Sequence, residues 1–492
     1  MGARMRWLMV LTVLVCLTAP LAWATDYYLD SEDGSDEAAG TSPETAWASL
    51  DRLAQVTLQP GDRALLRRGS TFRGRLRVEG SGTEDAPITV GAWGEGNKPE
   101  ILGTVLLDGW EQDDGEVFRA TVPEELFYGQ KNCFSVYEYD DAIPVRLTRD
   151  DAAPTERGHF HFDAETLTLY VITSDGQSPA EHRLEVPLIE QLMDLRNARW
   201  IVFENLALLM GNCRHVVVSA CENVVFRNCA SMFVGAYGNP NFILREGCRW
   251  VMLEGCFLYE NVNSGVLLTD GTTECRIAGC TIERCMSNDG ITCHAGPRVD
   301  GVRTQLCGNT NVLESNVIGH CPEESIDITS GDHHVVRGNI CHDDGNPGII
   351  IGHDSDHILV ERNISMRNQG GIYALGTAEE GAEGSNRVIG NLCYDNTYPA
   401  LELGSPDAEI VGNTLLNSTE RVIVRINPDA MRPVLRDNII ANLDPTSPHA
   451  LLHFIRCTPE SVQATIGRNL LYHAADVRKR EVFFPAGTLI RT

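Results

Sequence analysis

The 492-residue chain sets 68 aspartates and glutamates against 40 lysines and arginines, a formal net charge of −28. A surface that acidic excludes nucleic acid as a partner, because phosphate binding needs basic groups to neutralise it. Lysine occurs only at Lys98, Lys131 and Lys479, so residues 132–478 offer none to a polysaccharide lyase that uses a lysine base.

The chain begins "MGARMRWLMVLTVLVCLTAPLAWATDYYLD". Arg4 and Arg6, the apolar run after them and the small-x-small Ala22-Trp23-Ala24 read as a secretory signal peptide over residues 1–24, cleaved near Ala24. That run is short for a membrane span, and no later segment approaches ~20 unbroken apolar residues. The expectation is a secreted or periplasmic protein with no membrane span.

Residues 25–110 read as an N-terminal cap and the first coils of a stack. "SPETAWASLDRLAQV" predicts a short amphipathic helix, capped by Ser or Thr, that covers the open end of the sheets. "GDRALLRRGSTFRGRLRVEGSGTEDAPITVGAWGEGNKPEILG" then supplies short strands and glycine turns. Residues 111–195 break the period. Their "GHFHFDAETLTLYVITSDGQSPAEHRLEV" has the alternation of hairpins and predicts an inserted antiparallel β module.

From residue 196 to 470 the chain repeats. A short strand ends in Cys or Asn at Cys229, Cys256, Cys280, Asn316, Asn339, Asn363, Asn391, Asn413, Asn438 and Asn469, at spacings of 27, 24, 36, 23, 24, 28, 22, 25 and 31 residues. Self-similarity at this period is a solenoid signature. The units are Val- and Ile-rich with period two, cut by Gly and Asn, and none holds an apolar period of 3.6. The predicted fold is all-β: a right-handed parallel β-helix solenoid with an N-terminal cap, the inserted small antiparallel β module, and a C-terminal cap over residues 471–492.

Each side chain in such a stack lies over its counterpart ~4.8 Å away, so the recurring Asn predicts a hydrogen-bonded ladder. Sixteen cysteines, fifteen once Cys16 leaves with the signal, contain no Cys-x-x-Cys pair, which argues against a zinc site of that pattern. Cysteine at ladder positions reads mainly as small apolar core filling. A second set of strands aligns as "SGVLLTDG", "DGITCHAG", "ESIDITSG", "PGIIIGHD", "GGIYALGT" and "PALELGSP". Their third and fifth positions are apolar and point inward; the fourth, Leu267, Thr292, Asp327, Ile350, Tyr373 and Glu402, face outward.

The leader followed by "YYLDSEDGSDEAAGTSPETAWASL", the "LQPGDRALLRRGSTFRG" segment and the Asn-ended coils resemble the secreted bacterial right-handed parallel β-helix proteins of the pectin-lyase-like superfamily. The resemblance implies a carbohydrate-active protein and leaves the reaction open, because that fold hosts hydrolases, lyases, epimerases and inert fibres.

Acids gather on adjacent coils. Asp289 in "SNDGITCH" precedes one outward-facing strand; Glu323 and Glu324 in "CPEESIDITSG" hold the same place one coil on, with Asp327 outward on the strand itself. Stacked carboxylates cannot both ionise cheaply, so one stays protonated beside an ionised partner, the pairing that glycosidic cleavage uses. "NDGI" and "EESI" are similar to the catalytic Asn-Thr-Asp-Gly-Ile and Asp-Asp-Cys-Ile segments of the polygalacturonase family, which implies catalytic roles for Asp289, Glu323 and Glu324. The family's Gly-His-Gly is "NPG" here and its Arg-Ile-Lys has no counterpart, which favours a sugar other than galacturonate.

His294 and His353 fall beside these acids in the alignment, Tyr373 and Glu402 line later coils, and Arg245 lies two coils before Asp289; these are the expected substrate-binding residues. The plainer alternative is a solvated acidic turn. No metal motif is present and no cofactor is expected; Ca²⁺ on Asp289, Glu323, Glu324, Asp343 and Asp344 stays open, without EF-hand spacing to support it. In "GHDSDH", His353, Asp354 and His357 read more simply as a polar turn than as a metal site. The leading expectation is an exported glycoside hydrolase acting on a polysaccharide or oligosaccharide. The alternatives are a polysaccharide lyase or epimerase acting on a uronate polymer, and a non-catalytic carbohydrate-binding surface protein.

Overall fold

A computed structural model describes residues 24–474 apart from 141–142, 236–238, 297, 300–301, 377–384, 420–421, 447–449 and 455–461. Almost all of residues 1–24, read as the signal peptide, and most of 471–492, read as the C-terminal cap, lie outside the described residues.

Three long parallel sheets, of 14, 13 and 11 strands, build the molecule, and from Arg199 on each coil visits them in that order. One coil shows the pattern: Arg276–Ala278 in the first sheet, Thr281–Cys285 in the second and Ile291–Cys293 in the third. This is the right-handed parallel β-helix read from the repeat. The third-sheet register is the one the alternation predicts: Leu267 pairs with Thr292, Thr292 with Asp327, Asp327 with Ile350, Ile350 with Tyr373 and Tyr373 with Glu402. The flanking Val266, Ile291, Ile326, Ile349, Ile372 and Leu401 are fully buried in a single core that runs along the axis.

The asparagine ladder forms at the corner between the first and second sheets. Asn316, Asn339, Asn363, Asn391, Asn413 and Asn438 each donate from Nδ2 to the Oδ1 of the next asparagine at 2.9–3.0 Å, ending on Asn469. Each also donates to a core-strand carbonyl, as Asn339 does to Leu313 at 2.9 Å. The buried corner backbone is thereby satisfied without water. Cysteine continues the column at one end: the backbone N–H of Cys280 donates to Asn316 Oδ1 at 2.9 Å. All fourteen described cysteines are free and buried, as core filling requires.

The cap differs from its prediction in length. Only Leu50–Leu53 is α-helical, preceded by a 3₁₀ turn at Pro43–Thr45. Ser49 caps the helix by accepting from Arg52 N–H, and Leu50 and Leu53 are buried. One turn suffices here because Trp47, 1 % exposed, covers the end of the core itself.

The inserted module contains a five-stranded and a four-stranded sheet, mostly antiparallel, with strands from Thr104–Val105 to Leu184–Pro187. Its own core includes Val122, Phe160, Leu169, Val171 and Val186. Buried Glu185 ties it to the solenoid through Arg73, whose Nη2 donates at 2.8 Å. Tyr137, Phe233 and Tyr259 carry the contact onto the outer face of the second sheet. At the far end, Leu470–His473 still pairs within the second sheet, so solenoid structure extends past residue 470. Among the described residues no helix is long and apolar enough to cross a membrane.

Candidate active site

The acids meet where the second sheet gives way to the third. Asp289 ends the corner that leads into Ile291–Cys293; Glu323 and Glu324 end the next corner, ahead of Ile326–Ser330. The coils approach closely here because residue 290 is glycine: a Cβ on it would lie 2.6 Å from the Ser325 carbonyl oxygen and 2.2 Å from Ile318 Cγ2. The Gly290 N–H donates to Glu324 O at 3.0 Å. In return Asp289 Oδ1 accepts from the Glu324 N–H at 3.2 Å, and Asp289 Oδ2 accepts from Thr292 Oγ1 at 2.8 Å.

Carboxylate oxygens of Asp289, Glu323 and Glu324 lie within 4.8 Å of one another. Asp289 is 2 % and Glu324 9 % exposed, while Glu323 stands in solvent. Burial, and then the neighbouring Glu324 charge, push Asp289 up to about 7. Glu324 is raised by burial, with Glu323 adding to the effect. Glu323 is raised by burial and then by Asp289. Asp327, outward on its strand and partly buried, is held well above the usual carboxylate range by burial and then by Asp289, Glu324 and Glu323 in turn. Four acids in mutual repulsion, with no cation bonded to any of them among the described residues, hold fewer than four charges near neutral pH.

The expected substrate-binding residues scatter along the same face. His294 follows strand Ile291–Cys293, half-buried, its carbonyl accepting from Ser330 Oγ at 2.8 Å. Arg245 donates to Ser219 Oγ at 3.0 Å and pairs with Glu246 at 3.3 Å, so its charge is engaged two coils away from the acids. Tyr373 lies two rungs beyond Asp327, with Ile350 between them. Glu402 is paired with Arg425 at 3.0 Å and accepts from Asn427 Nδ2 at 2.9 Å. His353 and Asp354 belong to strand Pro347–Asp354, but their side chains lie outside the described residues. His357 packs its ring against His333, 4.8 Å between centroids, at another corner.

Two of the acids considered for Ca²⁺ are spoken for. Asp343 is bound by Arg367 at 2.6 Å and by His342 at 2.9 Å. Asp344 is a ladder residue: its Oδ1 accepts from Cys321 N–H, its N–H donates to Asn368 Oδ1, both at 2.9 Å, and its other oxygen accepts from Ser325 Oγ. Burial pushes Asp344 up to about 8. Two neighbours escaped the sequence reading. Thr292 was counted as an outward residue but it clamps Asp289, and Asn346 supports Glu324. Their signal was positional, one strand step or one coil from an acid.

A profile of the periplasmic copper-binding protein family NosD matches residues 259–430. Lacto-N-biosidase of Bifidobacterium longum subsp. longum is 40 % identical over 138 residues, 26 % of this chain and 8 % of that protein. The chain thus spans a small fraction of the curated relative it matches. Among solved structures, a glycoside hydrolase superposes with a TM-score of 0.55 at 11 % identity, covering 93 % of this chain and 98 % of that one. A mannuronic acid-specific polysaccharide family 6 lyase from human gut microbiota superposes with a TM-score of 0.51 at 13 % identity, covering 92 % of this chain and 87 % of that one. Likeness at such identity establishes the shared β-helix and leaves the chemistry to the site.

Proposed function

We propose that the protein is an exported glycoside hydrolase acting on an oligosaccharide or polysaccharide, with Asp289, Glu324 and Asp327 as the reacting acids and Glu323 beside them. The observation that carries this reading is the contact between Asp289 and Glu324, 35 residues apart in sequence, with Asp289 raised to about 7. A buried pair of this kind retains one proton and one charge at neutral pH. Asp327, the acid on the open strand face, held protonated by burial and by the charges of Asp289, Glu324 and Glu323, is the proton donor to the leaving oxygen. The ionised oxygen of the Asp289–Glu324 pair, presented by Glu324, activates water or attacks the anomeric carbon. Thr292 holds Asp289 in the orientation that keeps this pair together. The 40 % identity to a stretch of lacto-N-biosidase and the fold shared with a glycoside hydrolase support this direction.

A uronate lyase or epimerase is the second reading. The oxygens of Asp289, Glu323 and Glu324 are close enough to share a cation such as Ca²⁺, which would neutralise a uronate carboxylate, and the mannuronate-specific lyase has the same fold. Incubation with a panel of neutral and uronate-containing glycans, reading both new reducing ends and ultraviolet absorbance, separates the two. Reducing ends without absorbance are expected. Absorbing products that vanish with chelator favour the lyase, and binding without turnover leaves a carbohydrate-binding protein.

A further inference from the structure

We propose that Glu283, His320 and His342 form a second site, for a divalent transition metal of the zinc(II) type, on the outer face of the second sheet. The three come from successive coils: Glu283 from Thr281–Cys285, His320 just after Val317–Gly319, and His342 from Ile340–His342. Glu283 faces Gly319, and Gly319 faces His342, so the glutamate and His342 are two rungs apart. They meet only because the middle rung has no side chain. A Cβ at Gly319 would stand 2.4 Å from His342 Cε1, in the place the imidazole ring occupies. His342 Nε2 then lies 3.3 Å from Glu283 Oε1, and His320 Nδ1 lies 2.8 Å from Glu283 Oε2. One donor atom from each residue falls within 4.8 Å of the others, a spacing that small rotations close around one ion.

The surroundings are those of a metal site rather than of a chance surface pair. His342 Nδ1 is bonded to Asp343 at 2.9 Å, and Asp343 is fixed in turn by Arg367 at 2.6 and 2.9 Å. With a metal bound, a carboxylate on the far nitrogen would keep the proton on Nδ1 and turn the Nε2 lone pair toward the ion and Glu283. A cation between His342 Nε2 and Glu283 Oε1, 3.3 Å apart, would take both as ligands. His342 and Glu283 are largely buried, with side chains 14 % and 20 % exposed, while His320 is open. Two imidazoles and one carboxylate match zinc's preference and leave a coordination position free. The site borders a recess of about 730 Å³ lined by Phe257, Tyr259, Arg284 and Met286, where the stacked rings of Phe257 and Tyr259 offer a flat apolar wall. A metal-bound water or a ligand oxygen would sit beside that wall. The acid cluster lies across the corner on the third sheet, so this site stands whether or not the hydrolase reading does.

The test uses the full exported chain without an affinity tag, stripped with chelator and titrated with ZnCl₂ by calorimetry, with retained metal measured by mass spectrometry after dialysis. One equivalent of zinc is expected to bind. His320→Ala and His342→Gln should each weaken it at least 10-fold. Asp343→Asn, a positioning change, should weaken it about 10- to 100-fold. Gly319→Ala removes no ligand and should also abolish binding by displacing His342, with circular dichroism reporting that the β-helix is intact. Asp289→Asn and Glu324→Gln should leave zinc affinity unchanged. Absence of binding overturns the proposal. So does zinc that survives His320→Ala and His342→Gln, or zinc that is lost instead with Asp289→Asn and Glu324→Gln.

Discussion

Two corners of the same coils are built to opposite rules. Where the first sheet turns into the second, asparagine repeats from Asn316 to Asn469 and every amide before the last finds a neutral partner above and below. Where the second turns into the third, the stack passes through Cys321, Asp344, Asn368 and Asn396, and acids crowd its outer lip at Asp289, Glu323 and Glu324. Both corners impose the same ~4.8 Å repeat on whatever they carry. Stacked amides gain from that spacing because each is donor and acceptor at once. Stacked carboxylates lose by it, and burial removes the water that would screen them. The first corner is a device for stability. The second gives up stability to hold protons on acids that water would strip, which is the condition general acid–base chemistry needs.

The largest expected effects fall on turnover. Asp327→Asn and Glu324→Gln should each lower kcat about 100- to 10,000-fold with the far-ultraviolet circular dichroism unchanged, because each removes a reacting carboxyl and keeps the side-chain shape. Activity that survives both would place the chemistry elsewhere. Breaking the other corner should do the reverse. Asn363→Ala deletes the acceptor of the Asn339 N–H and the donor to Val336 O and Asn391 Oδ1, leaving buried groups unpaired. The loss expected is about 3 kcal/mol of stability, read by denaturant unfolding, with substrate binding intact in the protein that remains folded.

The second corner also sets a pH dependence whose sign is opposite to ordinary acid denaturation. Asp344 moves from the usual 3.8 to about 8, and Asp289 from 3.8 to about 7. Between those values the folded protein binds protons that the unfolded chain has released, so this contribution to stability is complete below about pH 4 and disappears as pH rises through about 7 and 8. Asp344→Asn should therefore unfold at higher denaturant than the parent above pH 8, with little difference near pH 4. The replacement restores the residue found at the next two rungs, Asn368 and Asn396. Asp289→Asn should show the same gain above pH 7 while abolishing turnover. A parent protein whose stability rises from pH 5 to pH 9 would show that these acids are ionised in the fold.

The contrast explains what could be read without coordinates. The third-sheet register was legible because Val266, Ile291, Ile326, Ile349, Ile372 and Leu401 alternate with outward residues over a strict period of two, and a slip by one would expose the whole row. The acids followed, since "SNDG" and "CPEES" interrupt that row at equivalent points. Three-residue second-sheet strands such as Val317–Gly319 carry too little alternation to register unaided, so Glu283, His320 and His342 passed unnoticed. Gly319 ends one of these strands and is the gap that brings two rungs together. The cap helix was overestimated because amphipathic spacing continues through Trp47, whose burial replaces a helical turn.

The smallest effect is expected where the ladder changes chemistry. Cys280 Sγ donates to Leu253 O at 3.6 Å, the same contact that Asn316 Nδ2 makes with Ile277 O at 3.0 Å one coil on. Leu253 and Ile277 are partners in register, so thiol and amide occupy equivalent places. Cys280→Asn should add one rung: its Nδ2 would reach Leu253 O and Asn316 Oδ1, and its Oδ1 would face the Cys256 N–H. Stability should change by less than about 1 kcal/mol, because the added hydrogen bonds offset the loss of a small apolar group. Cys280→Val keeps the site apolar, adds about one methyl group and leaves Leu253 O without its donor, and should cost about 1 kcal/mol more than the asparagine variant. If valine proves the more stable of the two, the cysteines hold this end of the column by packing alone, and the ladder begins at Asn316.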